Sequence, residues 1–282
     1  MRLYRAQAKL PALVVWLLGL LLALTASNLS AGTSQRLVVP MYGAEDPHHD
    51  SYFFSRLLKL ALDKTVSEYG PYTLEIPEVM LTDDRLKAQV VKGTVDVMWH
   101  SSIGSEDMGL RMIPVSLLGE LSEYRAFLVR HGDQARFNNI HSLDDLRQMV
   151  AGIGAQWPGV PVLKKNDLPY VSSSRYELLF RMLAADRFDY FPRGLYQIHS
   201  EPNLYPEFNL VVESEILLHY PNDVYFFVRE DNSELAERLR LGLERAQEDG
   251  SKQRLMETIP RFHWAQQELA RGQRRVIKLQ MP

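Results

Sequence analysis

The sequence predicts an α/β protein with two lobes, because strand-like and helix-like segments alternate along most of the chain. Residues 37–41 (LVVPM) and 95–100 (VDVMWH) are short apolar runs of the kind that form buried strands. Between them, apolar residues recur at helical spacing over residues 54–62. Strands separated by helices of this length indicate parallel sheets covered by helices. There are too many such units for one compact sheet, so we expect two α/β lobes.

The other elements follow from the same two patterns. The helix predicted over residues 83–92 ends at Gly93, and the late helix over residues 235–246 has Asp231 and Glu234 as candidate caps and Gly250 as its end. The remaining segments are strand-like at 72–76, 124–129, 150–155, 188–191 and 224–228, and helical at 143–149 and 176–183.

The chain contains no Pro/Gly/Ser-rich linker, so two lobes must be joined by short crossover segments with a cleft between them. The candidate crossovers are residues 118–124 and 217–223. This division predicts a first lobe from residues 35–119 plus 223–282 and a second lobe from residues 124–219.

The N-terminal 31 residues differ in composition from the rest. A basic start precedes an uncharged apolar run over residues 10–26, and small residues follow, which is the layout of a secretory signal peptide. An uncleaved membrane anchor is the alternative. Without residues 1–31 the chain has 29 basic and 35 acidic residues, a net charge of −6, which argues against nucleic acid as a partner. We therefore expect an exported, soluble, periplasmic protein. Because there is no cysteine, we expect neither a disulfide nor a lipid anchor.

The sequence contains no motif that is typical of a known enzyme mechanism. There is no Walker loop, HExxH helix or GxSxG elbow, and no nucleophile–base–orienter set can be assembled by spacing. The segment GIGAQWPG (152–159) has Trp157 in the place of a dinucleotide loop's third glycine. The segment DPHHD (46–50) offers metal-ligating side chains, but exposed loop polarity is the better interpretation. We expect no cofactor, no metal and no catalysis.

Several segments, taken in order, resemble the family 3 periplasmic solute-binding proteins, which include the polar amino-acid receptors of ABC importers. The resemblance runs from residue 36 to about residue 260 and implies a two-lobed type II periplasmic-binding-protein fold that closes on a solute. Its most specific match is the returning strand and helix. The matching segments are RLVVPM (36–41), KGTVDVMWHSS (92–102), HSLDDLRQMVAGIGA (141–155), RFDYFPRG (187–194) and the stretch 222–250.

The resemblance also implies ligand-binding positions in the first lobe. The loop after the family's "GxxD" strand corresponds here to Trp99, Ser101 and Ser102, although ordinary turn serines are an equal alternative. The arginine that grips the ligand carboxylate in the family has no direct counterpart. Arg111 is the available arginine, in a displaced position.

Two positions in the second lobe depart from the family. Gln156 and Trp157 replace its "GT" turn, and Trp157 is either an aromatic wall for a ligand or a structural plug. Arg193 stands where a carboxylate usually holds the ligand amine. If Arg193 faces the cleft, it favours an anionic solute over a simple amino acid. The alternative is an arginine turned to solvent or paired with Glu201 or Asp189.

These observations predict an exported receptor that binds a small polar solute, anionic if Arg193 faces it, and passes it to an ABC importer or a sensor kinase. We expect a monomer. One alternative is a sensory or interaction protein with weakened solute binding. A less favoured one is a dehydratase-like enzyme, which needs a cleft group such as His100, Glu106 or Asp107 with a shifted pKa.

Overall fold

A computed structural model describes residues 34–41, 45–47, 49, 51–77, 83–105 and 109–282. The predicted signal peptide (1–31), Glu106 and Asp107 lie outside the described residues. Among the helices that are described, none combines the length and the apolar character needed to cross a membrane.

Twelve strands are present in the described residues, and they carry most of the segments that the alternating pattern predicted. They are β1 (Gln35–Val38), β2 (Tyr72–Glu75), β3 (Val97–Ser101), β4 (Leu110–Met112), β5 (Tyr124–Arg130), β6 (Ala151–Gly154), β7 (Tyr170–Ser173), β8 (Phe191–Gly194), β9 (Leu210–Val212), β10 (Ile216–His219), β11 (Val224–Arg229) and β12 (Arg275–Lys278).

Eleven α-helices lie between and after these strands in the same part of the chain. They are α1 (Ser51–Asp63), α2 (Val66–Tyr69), α3 (Asp83–Lys92), α4 (Gln134–Phe137), α5 (Leu143–Leu146), α6 (Gly159–Lys165), α7 (Tyr176–Ala184), α8 (Leu195–Ile198), α9 (Ser233–Glu248), α10 (Ser251–Glu257) and α11 (Pro260–Arg271).

The first lobe is built on β1–β4 and β11. Strands β1 and β2 pair in parallel, and β11 lies between β3 and β4 in an antiparallel set. Asp96 joins the two sets, because its backbone N–H donates to the Val38 carbonyl (2.8 Å) and its carboxylate accepts from the Val38 N–H (2.7 Å). Burial raises the pKa of the Asp96 carboxyl.

Helix α1 covers this lobe with the face that the sequence predicted. Its apolar side chains are buried, and each contributes about 1.5–3 kcal/mol of burial free energy. The long helix α9 crosses α1 so closely that a Cβ added at Gly242 would lie 2.0 Å from the Ala61 carbonyl oxygen. Asn232, rather than the predicted Asp231, caps α9 by accepting from the Leu235 N–H. The buried residues of α1 are Phe53, Phe54, Ser55, Leu57, Leu58, Ala61 and Leu62.

The second lobe holds the sheet β12-β10-β5-β8, with β9 also paired to β5. Parallel strands β6 and β7 extend this sheet through a bridge between Ala151 and Tyr190. The core of this lobe is rich in aromatic rings, with Phe127, Phe137 and Tyr190 in mutual contact.

The C-terminal end of the chain corrects the predicted lobe boundaries. Strand β12 pairs in parallel with β10, and Ile277 and Leu279 belong to the second lobe's core. The sequence-based division placed all of residues 223–282 in the first lobe. It was wrong for β12, because a four-residue strand at a chain end gives no signal of the sheet that it joins. The connection from α11 to β12 is therefore a third crossing between the lobes, beside the two predicted ones.

Candidate functional site: the cleft between the lobes

A cavity of about 600 Å³ lies between the two lobes. That volume is in the usual range for small-molecule sites, about 300–1,000 Å³. The first lobe contributes the C-terminal end of β3, and the second contributes the ends of β5, β8 and β10. The residues that line it are Phe54, Trp99, His100, Ser101, Arg125, Ile153, Trp157, Pro158, Gly159, Leu163, Tyr176, Pro192, Arg193, Gly194, Tyr196, Gln197, Leu218, Tyr220, Asn222 and Val224.

Trp99 forms the aromatic wall of the first lobe. Its ring stacks on Phe54, with centroids 5.2 Å apart and planes 19° from parallel. Beside it, the Ser101 hydroxyl donates to the Asn222 side-chain oxygen and accepts from the Ile103 N–H at 3.0 Å. The hydroxyl thus fixes the loop that follows β3 against the second crossover.

Trp157 forms the facing wall in the second lobe. It stacks on Phe191 with centroids 5.8 Å apart and planes 17° from parallel, and it is half-buried. A Cβ added at Gly154 would lie 2.4 Å from the indole, so the glycine makes room for the ring. One part of the indole packs in the lobe and another lines the cleft, and its role as a wall for a ligand stays a prediction.

Arg193 lies at the end of β8, directly before α8, where the sequence placed it. It lines the cleft, but its charge is matched by Glu201. The Nη2–Oε1 distance is 2.6 Å, and Nε donates to Oε1 and Oε2 at 2.7 and 2.9 Å. Its guanidinium also lies 4.6 Å from the Trp157 ring centroid. The alternative of a carboxylate-paired arginine, with Glu201 as partner, is the observed one. Asp189 instead pairs with Arg136.

Arg125, at the start of β5, is a second arginine in the cleft and is only 9% exposed. Its Nη1 donates to the carbonyls of Ser122 (2.6 Å) and Tyr124 (3.0 Å). Its guanidinium carbon lies 5.0 Å from the Tyr220 ring centroid. These contacts hold the side chain against the two crossover segments.

The crossovers themselves are joined by Asp223. Its carboxylate accepts from the hydroxyls of Ser116 and of Tyr225, the latter at 3.0 Å. Burial, followed by the charge of Asp223, raises the pKa of the Tyr225 phenol. Lys252 donates to the Ser116 carbonyl, and burial lowers the pKa of its ammonium group. The cleft therefore opens onto a hinge in which hydrogen bonds, such as that from the Ser122 hydroxyl to Asp223, join the two crossover segments.

Comparison with solved structures gives matches over most of the chain. An ancestral arginine-binding protein bound to glutamine has 18% identity and a TM-score of 0.57, with 80% of this chain and 97% of that one covered. A histidine kinase sensor domain with similarity to periplasmic binding proteins has 15% identity and a TM-score of 0.58, covering 82% and 97%. A periplasmic His/Glu/Gln/Arg/opine family-binding protein from Silicibacter pomeroyi, in complex with lysine, has 13% identity and a TM-score of 0.58, covering 80% and 96%. No protein-family model and no curated protein matches the chain.

The chain has the periplasmic-binding-protein fold. Four of the seven predicted site residues line the cleft of this fold: Trp99, Ser101, Trp157 and Arg193. Their role in binding stays a prediction.

The other three predicted residues lie outside the lining of that cleft. Ser102 has its N–H bonded to the Asp223 carbonyl at 2.7 Å, and Gln156 is exposed. Arg111, on β4, donates from Nε to the Glu230 carbonyl and lines a different, smaller cavity. Arg111 is separated from the cleft end of β3 because β4 pairs with β11 on the side opposite to β3.

The cleft residues that the sequence did not reveal come mainly from the crossovers and from short helices. Arg125, Tyr196, Tyr220 and Asn222 were missed. Arg125 and Asn222 lie next to the boundary of a predicted crossover, and Tyr220 lies inside the second one, so the crossovers were the signal that could have found these three. Tyr196 lies in the short helix α8, which the sequence pattern did not mark as part of a cleft.

Within the described lining, no aspartate or glutamate is present, and six aromatic rings face the cavity. The described residues also contain no group of three or more His, Asp or Glu side chains that could hold a metal ion. The arrangement offers hydrogen-bond donors, flat apolar surface and positive charge. It can bind a small molecule by stacking and hydrogen bonds.

Proposed function

We propose that this protein is an exported solute-binding receptor whose two lobes close on a small molecule. The observation that carries the proposal is the cavity of about 600 Å³ walled by aromatic rings from both lobes, with Trp99 on one side and Trp157 on the other. Hinge closure around a ligand divides the binding contacts between two rigid bodies, and this cleft supplies such contacts on both. The neighbours named as binding glutamine or lysine support a receptor on this fold.

The chemistry of the lining favours a solute with a flat apolar body. The six rings belong to Phe54, Trp99, Trp157, Tyr176, Tyr196 and Tyr220. A cationic amine requires a carboxylate or a cage of rings. The described lining has no carboxylate of its own, and the rings of Trp157, Tyr176 and Tyr220 already face the guanidinium groups of Arg193 and Arg125. A neutral or anionic solute fits this lining better than a basic amino acid.

The same lining favours binding over catalysis. His100 is one of the three candidates that the enzyme alternative named, beside Glu106 and Asp107 outside the described residues, and its Nδ1 lies 2.9 Å from the Ser101 carbonyl oxygen. That contact fixes the ring tautomer beside a backbone group, and no carboxylate of the described lining orients it as a base. We infer a periplasmic monomer that delivers its solute to a membrane importer or a sensor kinase.

The test is thermal unfolding of the full chain, produced in an exporting host, against amino acids, dicarboxylates, aromatic acids and their amides. A ligand at 100 times its Kd adds about 2.7 kcal/mol to the free energy of unfolding. Trp157→Ala should abolish the ligand-induced shift in melting temperature. The matched control is Trp264→Ala, which removes an indole that stacks on His199 outside the cleft. A shift that survives Trp157→Ala and Trp99→Ala contradicts the cleft as the binding site.

A sensory or interaction protein is the second candidate, and the third crossing between the lobes favours it. Helix α11 contacts both lobes: Phe262 packs on Phe53 (4.8 Å) in the first and on Tyr196 (6.1 Å) in the second. His199 stacks on Trp264 at 4.8 Å in the same interface. These contacts restrain hinge motion. If no compound in the panel shifts the melting temperature, the receptor proposal fails and this candidate replaces it.

A further inference from the structure

We propose that Arg125, at the hinge, is the anion-binding residue of the cleft, and that it takes a solute carboxylate by its Nε–Nη2 edge. This inference rests on the proposed receptor function. It assigns the solute to the aromatic or otherwise flat monocarboxylates without an amine. It also moves the anion site from Arg193, where the sequence suggested it, to a residue of the first strand of the second lobe.

Arg193 already binds a carboxylate of the protein by its Nε–Nη2 edge. Its Nε and Nη2 face the carboxylate of Glu201 at 2.6–2.9 Å, the side-on arrangement in which two parallel N–H groups meet two oxygens. The Tyr176 hydroxyl adds a third contact to that carboxylate at 3.2 Å. Because the charges of Arg193 and Glu201 match, this pair adds little net attraction for an anion.

Arg125 lacks such a partner. Within the described residues, no carboxylate lies in ion-pair distance of it, and its two hydrogen bonds both come from Nη1 to backbone carbonyls. A guanidinium stays charged at any ordinary pH, and a charge that is nine-tenths buried is costly unless it is compensated. The carbonyls of Ser122 and Tyr124 and the Tyr220 ring offset part of that cost.

Arg125 lines the cavity, and both of its hydrogen bonds come from Nη1, which leaves the Nε–Nη2 edge for a ligand. No described residue accepts a hydrogen bond from Nε or Nη2 of Arg125, and neither nitrogen is among the fully buried polar atoms that lack a partner, such as Ser55 Oγ and Tyr190 OH. The two nitrogens are therefore accessible. In the sheet, Arg125 stands between Gly194 and Leu218, and both of these residues also line the cavity.

Asn222 supplies a second donor in the same cavity. Its side-chain oxygen accepts from the Ser101 hydroxyl, which leaves the Nδ2 group as donor, and no described residue accepts from it. Asn222 is 7% exposed and lies in the second crossover, while Arg125 is held to the first. An anion bound between them would connect both crossovers, so binding would be coupled to the hinge directly.

The probes that test this inference are benzoate and phenylacetate, each compared with its neutral amide, by isothermal titration calorimetry. We expect the acids to bind wild type more tightly than the amides. Arg125→Gln should lower the affinity for the acids by roughly 10- to 150-fold, the usual contribution of a charge-assisted hydrogen bond. It should change the affinity for the amides by less than about threefold. Arg125→Lys keeps the charge but loses the bidentate edge, so its affinity for the acids should lie between those of wild type and Arg125→Gln.

The matched control is Arg111→Gln, which removes an arginine outside the cleft lining whose Nε donates to the Glu230 carbonyl. It should leave the difference between acid and amide unchanged. Urea denaturation of every variant checks that it is folded. If the amides bind but the acids gain nothing from Arg125, or if the control abolishes acid binding, the inference is overturned and the receptor function stands. If neither acid binds, the inference is rejected, and the receptor function is decided separately by the wider thermal-unfolding panel.

Discussion

Arg193 and Glu201 form an ion pair on the wall of the cleft, with side chains only 7% and 4% exposed and Nη2 and Oε1 2.6 Å apart. The pair lies beside Trp157, whose ring centroid is 4.6 Å from the guanidinium carbon. A basic residue in the wall of a binding site is usually taken as a sign of an anionic ligand. Here the protein supplies the anion itself, and the pair serves as a rigid, flat support for the aromatic wall.

Breaking this pair from one side should destabilise the protein strongly. Glu201→Gln leaves a buried guanidinium without a matching charge, and we expect a loss of about 3–5 kcal/mol in the free energy of unfolding. Urea denaturation measures it. The double variant Arg193→Met, Glu201→Leu removes both charges and should cost much less. A cost of Glu201→Gln below that of the double variant would contradict the assignment of a mutually compensating pair.

The close crossing of α1 and α9 depends on Gly242. In Gly242→Ala the new methyl would meet the Ala61 carbonyl oxygen at 2.0 Å, which only a shift of the helices can relieve. Alanine is the better helix former by about 1 kcal/mol, but overpacking of a tight core costs about 1–3 kcal/mol or more. We expect a net loss of stability in urea denaturation. The control is Glu248→Ala on the exposed face of the same helix, where the change should be within about 0.5 kcal/mol. A stabilised Gly242→Ala would show that the helices lie farther apart.

The position of Trp157 depends on Gly154. A methyl at 154 would lie 2.4 Å from the indole, so Gly154→Ala should displace the ring and cost about 1–3 kcal/mol. Near-UV circular dichroism should report the altered indole environment, and urea denaturation should report the loss. In a Trp157→Ala background the clash is gone, so the same substitution should cost far less. Equal costs in both backgrounds would mean that the two side chains do not meet.

The sequence predicted the regular part of this fold well. The apolar spacing over residues 54–62 gave α1, and the alternation of elements gave two lobes, because buried faces repeat with the period of the element that carries them. Strand β12 was assigned to the wrong lobe. No strand was predicted over its four residues, and the sheet that β12 joins is decided by the path of α11.

The candidate site was predicted less well, for a physical reason. Trp99 was found because it lies near the C-terminal end of β3, and Trp157 because it follows β6. Arg193 was placed correctly, but whether it was paired depended on Glu201, eight residues away on the next turn. Arg125 was missed because a single arginine inside an apolar strand has the appearance of an edge residue. Its burial arises from both crossovers: the adjacent one, through Ser122 and Tyr124, and the distant one, through Tyr220.

The stability of the first lobe should depend on pH through Asp96. Burial raises the pKa of its carboxyl, an effect that outweighs the hydrogen bond from the Val38 N–H and the charges of Arg229 and Arg36. The folded state thus binds the proton more tightly than the unfolded state, whose pKa is about 3.9. The stability that Asp96 contributes is fully present below that value and is lost as the pH rises through the folded pKa.

Asp96→Asn removes this titration and keeps an oxygen that can accept from the Val38 N–H. Relative to wild type, the variant should therefore gain stability as the pH rises from about 3 and should reach a constant difference above the folded pKa. Urea denaturation at a series of pH values between 3 and 7 measures the difference. If Asp96→Asn instead loses stability relative to wild type as the pH rises, the attraction of Arg229 and Arg36 outweighs burial, and the carboxylate holds the two strand sets together as an ion.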